Sequence, residues 1–331
     1  MVTLKTIDAH AGGGPLRLVV DGFPAPRGRT MPDKVDWVRR HGDQLRRVLM
    51  REPRGHADLC GALLTEPAAP GSHAGVIFMN GGGYPALSGH GILAVTTIAL
   101  ERGLLMPGGD GMTVVFDTPA GTVRARAIGD AARIERVTLY TVPSFVARAS
   151  LAVKAGSRQL RADVAFCGGF YAIVDCEAAG LSVDTSRAPE LRRAGREIAA
   201  AVEAAQTWLH PATGSAEDIA GTIFTAPPRS ESADLRSVTV LRDGQAGRSP
   251  GGTATAALMA VLDAMGLLAD DRPFVHEGIL ETRFSGRVAS RTRAGEVDAI
   301  VVEVEGSAWI TGEHTFLAAP EDPFAEGVSV E

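Results

Sequence analysis

Two stretches of the chain join a glycine-rich loop to a wholly apolar segment, and the residues at each junction have types that can do chemistry. In the first, Asn80-Gly-Gly-Gly-Tyr-Pro-Ala-Leu-Ser88-Gly89-His90-Gly91 runs into an apolar segment from Ile92 to Leu100 and reaches Gly103. A helix that begins there leaves its first-turn amides without intrahelical partners, at the positive end of the macrodipole, so the junction attracts an anion. Ser88 falls at the N-cap and Gly103 at the stop position C′. The second stretch, Gly251-Gly252-Thr253 followed by an apolar segment to Ala264 and then Gly266, repeats the pattern. Ser88 aligns with Gly251 and Gly103 with Gly266 at a constant offset, which predicts two halves, each built around one central helix.

Two such helix starts facing each other would hold a carboxylate by backbone amides, while a side chain at one start reaches the neighbouring carbon. That suits removal of the proton α to the carboxylate, because the same dipoles stabilise the enolate-like charge that develops, and it calls for no cofactor. The residues alone also allow a simpler reading, with Ser88 as an ordinary N-cap and the glycines as turn-formers. His90 either contacts a substrate carboxylate or Ser88, or is satisfied by a neighbouring carbonyl. His56 and Asp58 either orient a partner or pair within their own loop. Cys60 is either a pocket thiol or a small buried strand residue. Asn80 to Gly83 lacks the strand–turn–helix spacing of a dinucleotide fingerprint or a P-loop.

The elements that must position these residues follow from patterning. Thr3 to Ala9 and Leu16 to Val20 alternate like strands around a glycine turn, and Val35, Val38, Leu45, Val48 and Leu49 predict one amphipathic helix over Asp33 to Met50. Strands are predicted at Cys60 to Leu64 and Gly75 to Met79, leading into the first glycine loop, at Met112 to Asp117 and Thr122 to Ile128 around a Thr-Pro-Ala-Gly hairpin turn, and through Arg161 to Asp175 with a glycine break. A second amphipathic helix is predicted over Pro189 to Leu209, with strands following, among them Ile279 to Phe284 and Arg287 to Thr292. The first half is expected to cover 1–126 plus 317–331 and the second 127–316.

With 331 residues, 45% of them hydrophobic, the chain is long enough for two ordinary cores. Its net charge of −6, without a basic cluster, argues against nucleic acid or an anionic membrane as partner. Three scattered cysteines fit free thiols in a reducing compartment, and eight histidines without close metal-ligand spacing give no support for a metal. The opening residues are strand-like, and no apolar run approaches the roughly 18 residues of a membrane span, so cytoplasm is the expected location.

Several blocks in order resemble the proline racemase family, which includes hydroxyproline epimerases and trans-3-hydroxy-L-proline dehydratases. They are Ile7 to His10 with Gly13, Glu52 to His56, Asn80 to Val95, Ala165 to Val174, Arg248 to Pro250 with Gly252 and Thr253, Gly306 to Gly312, and Asp322-Pro323. The resemblance implies an α+β, diaminopimelate-epimerase-like fold of two pseudo-symmetric halves, each wrapping a β-sheet around a central helix, usually as a homodimer. It also implies a proline- or hydroxyproline-like imino acid as substrate, acted on without cofactor or metal. Two cysteines, one at each helix start, work on opposite faces of the α-carbon. The amides of Gly89, His90, Gly252 and Thr253 match the positions that hold the carboxylate.

This chain departs from that pattern at three places: the first cysteine is Ser88, the second is Gly251, and an aspartate that holds the ring nitrogen is Gly247. Asp243 and Asp58 are the candidate substitutes for the missing acid. With a base at one helix start only, the resemblance points to elimination of water in the manner of the dehydratases, to which Asn80 to Tyr84 and Ile92 to Thr97 are similar. The alternatives are a 4-hydroxyproline 2-epimerase or proline racemase, and a non-catalytic binder of small carboxylates.

Overall fold

The computed structural model describes residues 1–106, 108, 112–130, 132–269 and 271–328. In chain order the elements begin with β1 (Val2–Ala11), β2 (Gly14–Asp21), α1 (Met31–His41), α2 (Asp43–Met50), β3 (Cys60–Thr65), β4 (Ala74–Met79), α3 (Gly89–Glu101), β5 (Thr113–Thr118), β6 (Gly121–Asp130) and β7 (Arg133–Tyr140). There follow β8 (Phe145–Ala155), β9 (Arg158–Phe166), β10 (Phe170–Asp175), α4 (Ala188–Ala205), β11 (Ile219–Ala226), β12 (Leu235–Leu241), α5 (Gly252–Ala264), β13 (Phe274–Glu277), β14 (Arg283–Ala294), β15 (Val297–Gly306) and β16 (Ala308–Ala318).

The chain divides into two compact units, Met1–Thr138 with Ser307–Glu331, and Leu139–Gly306. The sequence expectation placed the crossings at 126 and 317 instead. The difference arises because β6 and β7 continue the first run of strands and β16 pairs with β1 along its length, from Val2 opposite Ala318 to Ala11 opposite Ala308. Of the expected segment 317–331, residues 329–331 lie outside the described residues.

In the first unit the strands run in the order β16-β1-β2-β3-β4-β5-β6-β7, and in the second β15-β14-β13-β12-β11-β10-β9-β8. Each order contains two parallel steps: β2 with β3 and β4 with β5 in the first unit, β10 with β11 and β12 with β13 in the second. Parallel neighbours cannot be joined by a tight turn and need a crossover, and the helices are those crossovers. α1 and α2 carry the first, α3 the second, α4 the third and α5 the fourth. The repeated pattern seen in the sequence is therefore the second crossover of each unit.

α3 and α5 are apolar on all sides rather than along a stripe, so they have to lie inside. α3 is buried from Gly91 to Leu100 and touches β1, β2, β3, β6 and β16. α5 is buried from Gly252 to Val261 and touches β8, β9, β10, β14 and β15. Each helix stops at a glycine in the left-handed region, Gly103 with φ 62° and Gly266 with φ 69°. This is the expected α+β arrangement of a sheet around a central helix in each half. Among the described residues no helix is long and apolar enough to cross a membrane.

The structure corrects three expectations. The helix expected over Asp33 to Met50 is two helices, broken at Gly42, whose φ of −132° leaves the helical region. Val38 and Leu45 lie two turns apart and share one core with Val35, Val48 and Leu49, so the apolar period carries across the break and hides it. Thr30 starts α1 with a capping box to Asp33. The helix expected to reach Leu209 ends at Ala205, because Gln206 is extended and Trp208 folds back to donate its indole N–H to the Val202 carbonyl at 3.0 Å. Of the strand expected over Ile279 to Phe284, only Arg283 and Phe284 are strand, at the start of β14; Ile279 to Thr282 form a turn closed by Gly278 N–H to Thr282 carbonyl at 2.8 Å, with Glu281 at φ 63°.

α4 meets β12 through Gly195, where a Cβ would lie 2.6 Å from Cβ of Val240. Val240 is β-branched and stiff, so it cannot rotate away. Gly195→Ala is expected to lower unfolding stability by about 1–3 kcal/mol in urea titrations, as overpacking does.

Candidate active site

The start of α3 is built from three neutral side chains. Ser88 is 8% exposed and sits at the N-cap with extended backbone, φ −131° and ψ 111°. Its Oγ accepts the Gly91 N–H at 3.2 Å, the Cys60 thiol lies 3.7 Å away with geometry to donate either to it or to the Gly61 carbonyl, and His90 Nδ1 lies at 3.3 Å. Gly91 has to be glycine here, since a Cβ would stand 2.5 Å from the Phe78 ring and 2.8 Å from Ser88 Oγ.

A neutral imidazole carries one N–H, so in the tautomer whose proton sits on Nε2 the Ser88 hydroxyl donates to His90 Nδ1, and in the other tautomer His90 donates to Ser88. Burial pushes His90 down to about 4, outweighing a hydrogen bond to the Pro15 backbone, and pushes the Cys60 thiol up to about 12. At neutral pH the array is thiol, hydroxyl and imidazole, all uncharged. Ser88 thus lies between an imidazole nitrogen on one side and the Gly91 N–H and Cys60 thiol on the other.

The glycine loop ahead of this helix is not an anion cradle. Asn80 Oδ1 accepts from Gly82 N–H at 3.0 Å and Gly83 N–H at 2.7 Å, so those two amides are already engaged. Arg46, paired with Asp43 at 2.7 Å, donates to the Asn80 and Gly81 carbonyls at 2.7 and 2.8 Å. α2 therefore fixes the loop through Arg46.

The start of α5 differs where it aligns with Ser88. Gly251 has φ 80° and ψ 122°, a conformation L side chains rarely adopt, and no side chain caps the first turn. Thr253, 8% exposed, has its hydroxyl 3.2 Å from the Tyr171 hydroxyl, which burial pushes up to about 12. Tyr171 was missed in the sequence because an aromatic in the apolar run Phe170 to Val174 reads as core. Gly247 has room for a side chain at the cost of a small shift: a Cβ would sit 3.3 Å from the Thr239 carbonyl. Beside it the Thr239 hydroxyl oxygen is buried without a hydrogen-bond partner.

The other candidates fall as follows. Cys60 adjoins Ser88, opposite Leu16 in the parallel pairing of β2 and β3. Asp58 is partly buried in the preceding loop, its N–H donating to His56 Nδ1 at 3.2 Å. Asp243 is exposed and accepts the Gln245 N–H at 2.9 Å, a turn role. Among the described residues no group of three or more His, Cys, Asp or Glu side chains could hold a metal ion.

Two imidazoles, His90 half-buried and His276 wholly buried, set a pH dependence. His90 is depressed to about 4 and His276, wholly buried, to about 3. Unfolded, each takes up a proton below about pH 6.5, whereas the folded protein refuses it. Stability is therefore expected to fall as pH drops from about 6.5 toward 4. Thermal unfolding at a series of pH values checks this, and His276→Asn should make the slope shallower.

The proline racemase family profile matches residues 6–329. A trans-3-hydroxy-L-proline dehydratase from Bacillus cereus is 38% identical over 322 residues, covering 97% of this chain and 96% of the relative. A 3-hydroxyproline 2-epimerase from Burkholderia multivorans is 36% identical over 329 residues, covering 99% and 98%. Among solved structures, a hydroxyproline epimerase from Agrobacterium vitis with bound trans-4-hydroxy-L-proline superposes with a TM-score of 0.91 at 27% identity, covering 100% of this chain and 95% of that one.

Proposed function

The chain belongs to the proline racemase family, and from that premise we propose that it is a cofactor-independent hydro-lyase. It removes the α-proton of a 3-hydroxyproline-like imino acid and eliminates water. The observation that carries this reading is the inequality of the two helix starts. Ser88 at α3 is a protic side chain in a hydrogen-bonded array, whereas Gly251 at α5 has no side chain.

In this proposal the substrate carboxylate accepts from helix first-turn amides of the kind that Gly89 and His90 offer at α3 and Gly252 and Thr253 offer at α5. Ser88 Oγ takes the α-proton as its own proton passes to His90 Nδ1. The imidazole is a weak base in the empty protein, and the incoming carboxylate raises its proton affinity by placing a negative charge nearby. The Gly91 N–H and the Cys60 thiol hold the remaining lone pairs of Oγ and stabilise its developing negative charge. The Cα–H bond breaks, a Cα=Cβ bond forms and the C3–O bond breaks; the departing hydroxide takes the α-derived proton from Ser88 Oγ and leaves as water, and His90 returns its proton to Oγ. Epimerisation instead requires a proton returned to the opposite face, and no side chain at Gly251 can supply it. The homodimer that the family implies, and a cytoplasmic location, belong to the same proposal.

The test is turnover of trans-3-hydroxy-L-proline in D₂O followed by NMR. The expected product is the dehydrated ring, and Ser88→Ala should lower kcat by about 10²–10⁴-fold, the usual weight of a general base. Gly251→Cys should not create an epimerase, because its backbone stands at φ 80°. Unchanged turnover in Ser88→Ala would overturn the assignment, and inversion at Cα with deuterium incorporation would favour an epimerase. Tight binding without product would indicate a carboxylate binder.

A further inference from the structure

We infer that His276 is a positioning residue for the start of α5: through Thr255 it clamps the Gly251 carbonyl and so fixes the direction of the Gly252 and Thr253 amides. The inference rests on the proposed role of those amides in holding a carboxylate.

The clamp is a closed chain of hydrogen bonds. Thr255 Oγ1 donates to the Gly251 carbonyl at 2.7 Å, and the Thr255 N–H reaches the same oxygen at 2.9 Å. A threonine hydroxyl has one proton, so at 2.8 Å His276 Nδ1 has to be the donor to Thr255 Oγ1. That places the imidazole proton on Nδ1 and leaves Nε2 to accept from the Ser237 hydroxyl, also at 2.8 Å. Ser237 is 1% exposed, and Thr255 and His276 are 0% exposed. Every polar hydrogen in the chain has an acceptor.

The location gives the clamp its purpose. An N-cap side chain normally fixes the first turn of a helix by bonding the N2 or N3 amide. Gly251 cannot do so, and glycine is the residue with most backbone freedom to lose. Holding the carbonyl from below fixes the same peptide while leaving the first-turn amides unused by any cap. At α3 the side chain of Ser88 engages the Gly91 N–H instead. There the threonines Thr96 and Thr97 bond only their own helix, at the Ile92 and Leu93 carbonyls. Because burial keeps His276 neutral far below working pH, the clamp holds one proton arrangement throughout.

The test uses the full-length protein with pyrrole-2-carboxylate, a planar ring carboxylate, as calorimetric probe. His276→Ala is expected to raise its Kd, and the KM of turnover, by about tenfold, with kcat within about threefold. His276→Asn, which keeps an N–H for Thr255, should recover most of the loss. Thr255→Val, which preserves shape, reads the same clamp where His276→Ala fails to fold. Hydrogen exchange at the Thr255 amide, whose acceptor is the clamped carbonyl, should quicken at least about tenfold in the deficient variants. Unchanged exchange and unchanged Kd overturn the inference, as does a fall in kcat alone. If the wild type neither binds nor turns over these compounds while exchange quickens as expected, the proposed function fails and the clamp stands.

Discussion

A helix that is apolar on every face is driven into the interior, and its first-turn N–H groups go with it. Water cannot satisfy them all there, so the protein has to provide partners or keep a place for a ligand that does. α3 and α5 both impose this condition, and the crossovers around them are arranged to meet it. At α3 the N-cap serine takes one amide, and α2 braces the loop ahead of it through Arg46. At α5 no side chain caps the turn, and the restraint comes from the carbonyl side through Thr255 and His276.

The two solutions have different chemical consequences. Ser88 lies between a thiol that can donate and an imidazole nitrogen that can accept, so its proton has somewhere to go. Gly251 has only backbone, in a conformation that disfavours replacement by an L residue. In the proposed reaction the first start supplies proton abstraction and the second only binding. Burial keeps the titratable groups around both starts uncharged: His90 and His276 are neutral well below neutrality, and Cys60 and Tyr171 keep their protons well above it. Charge at such a site arrives with the substrate, which places the largest electrostatic change at the moment of binding.

Much of this was legible in residue order. The repeated glycine-to-apolar junction gave both central helices, because an apolar run bounded by a capping residue and a stop glycine has few other ways to fold. Element ends were less legible. The apolar period that defines α1 and α2 passes through Gly42 without a mark, and Trp208 reads as more helix although it folds back onto Val202. Nor does the run Gly81 to Gly83 show in sequence that the Asn80 side chain engages two of its amides.

The sequence by itself determined where the two helices start, which start retains a side chain able to accept a proton, and which family the chain resembles. These are local properties of composition and spacing. Only the tertiary structure decided what surrounds each start. Cys60 comes from β3 and Pro15 from β2, brought beside Ser88 and His90 by a parallel pairing that no local pattern encodes. His276 reaches Thr255 from β13, the strand that follows the α5 crossover. A hydrogen-bond partner distant in sequence is chosen by sheet register, and register is set by the burial of whole strands rather than by the residues that meet.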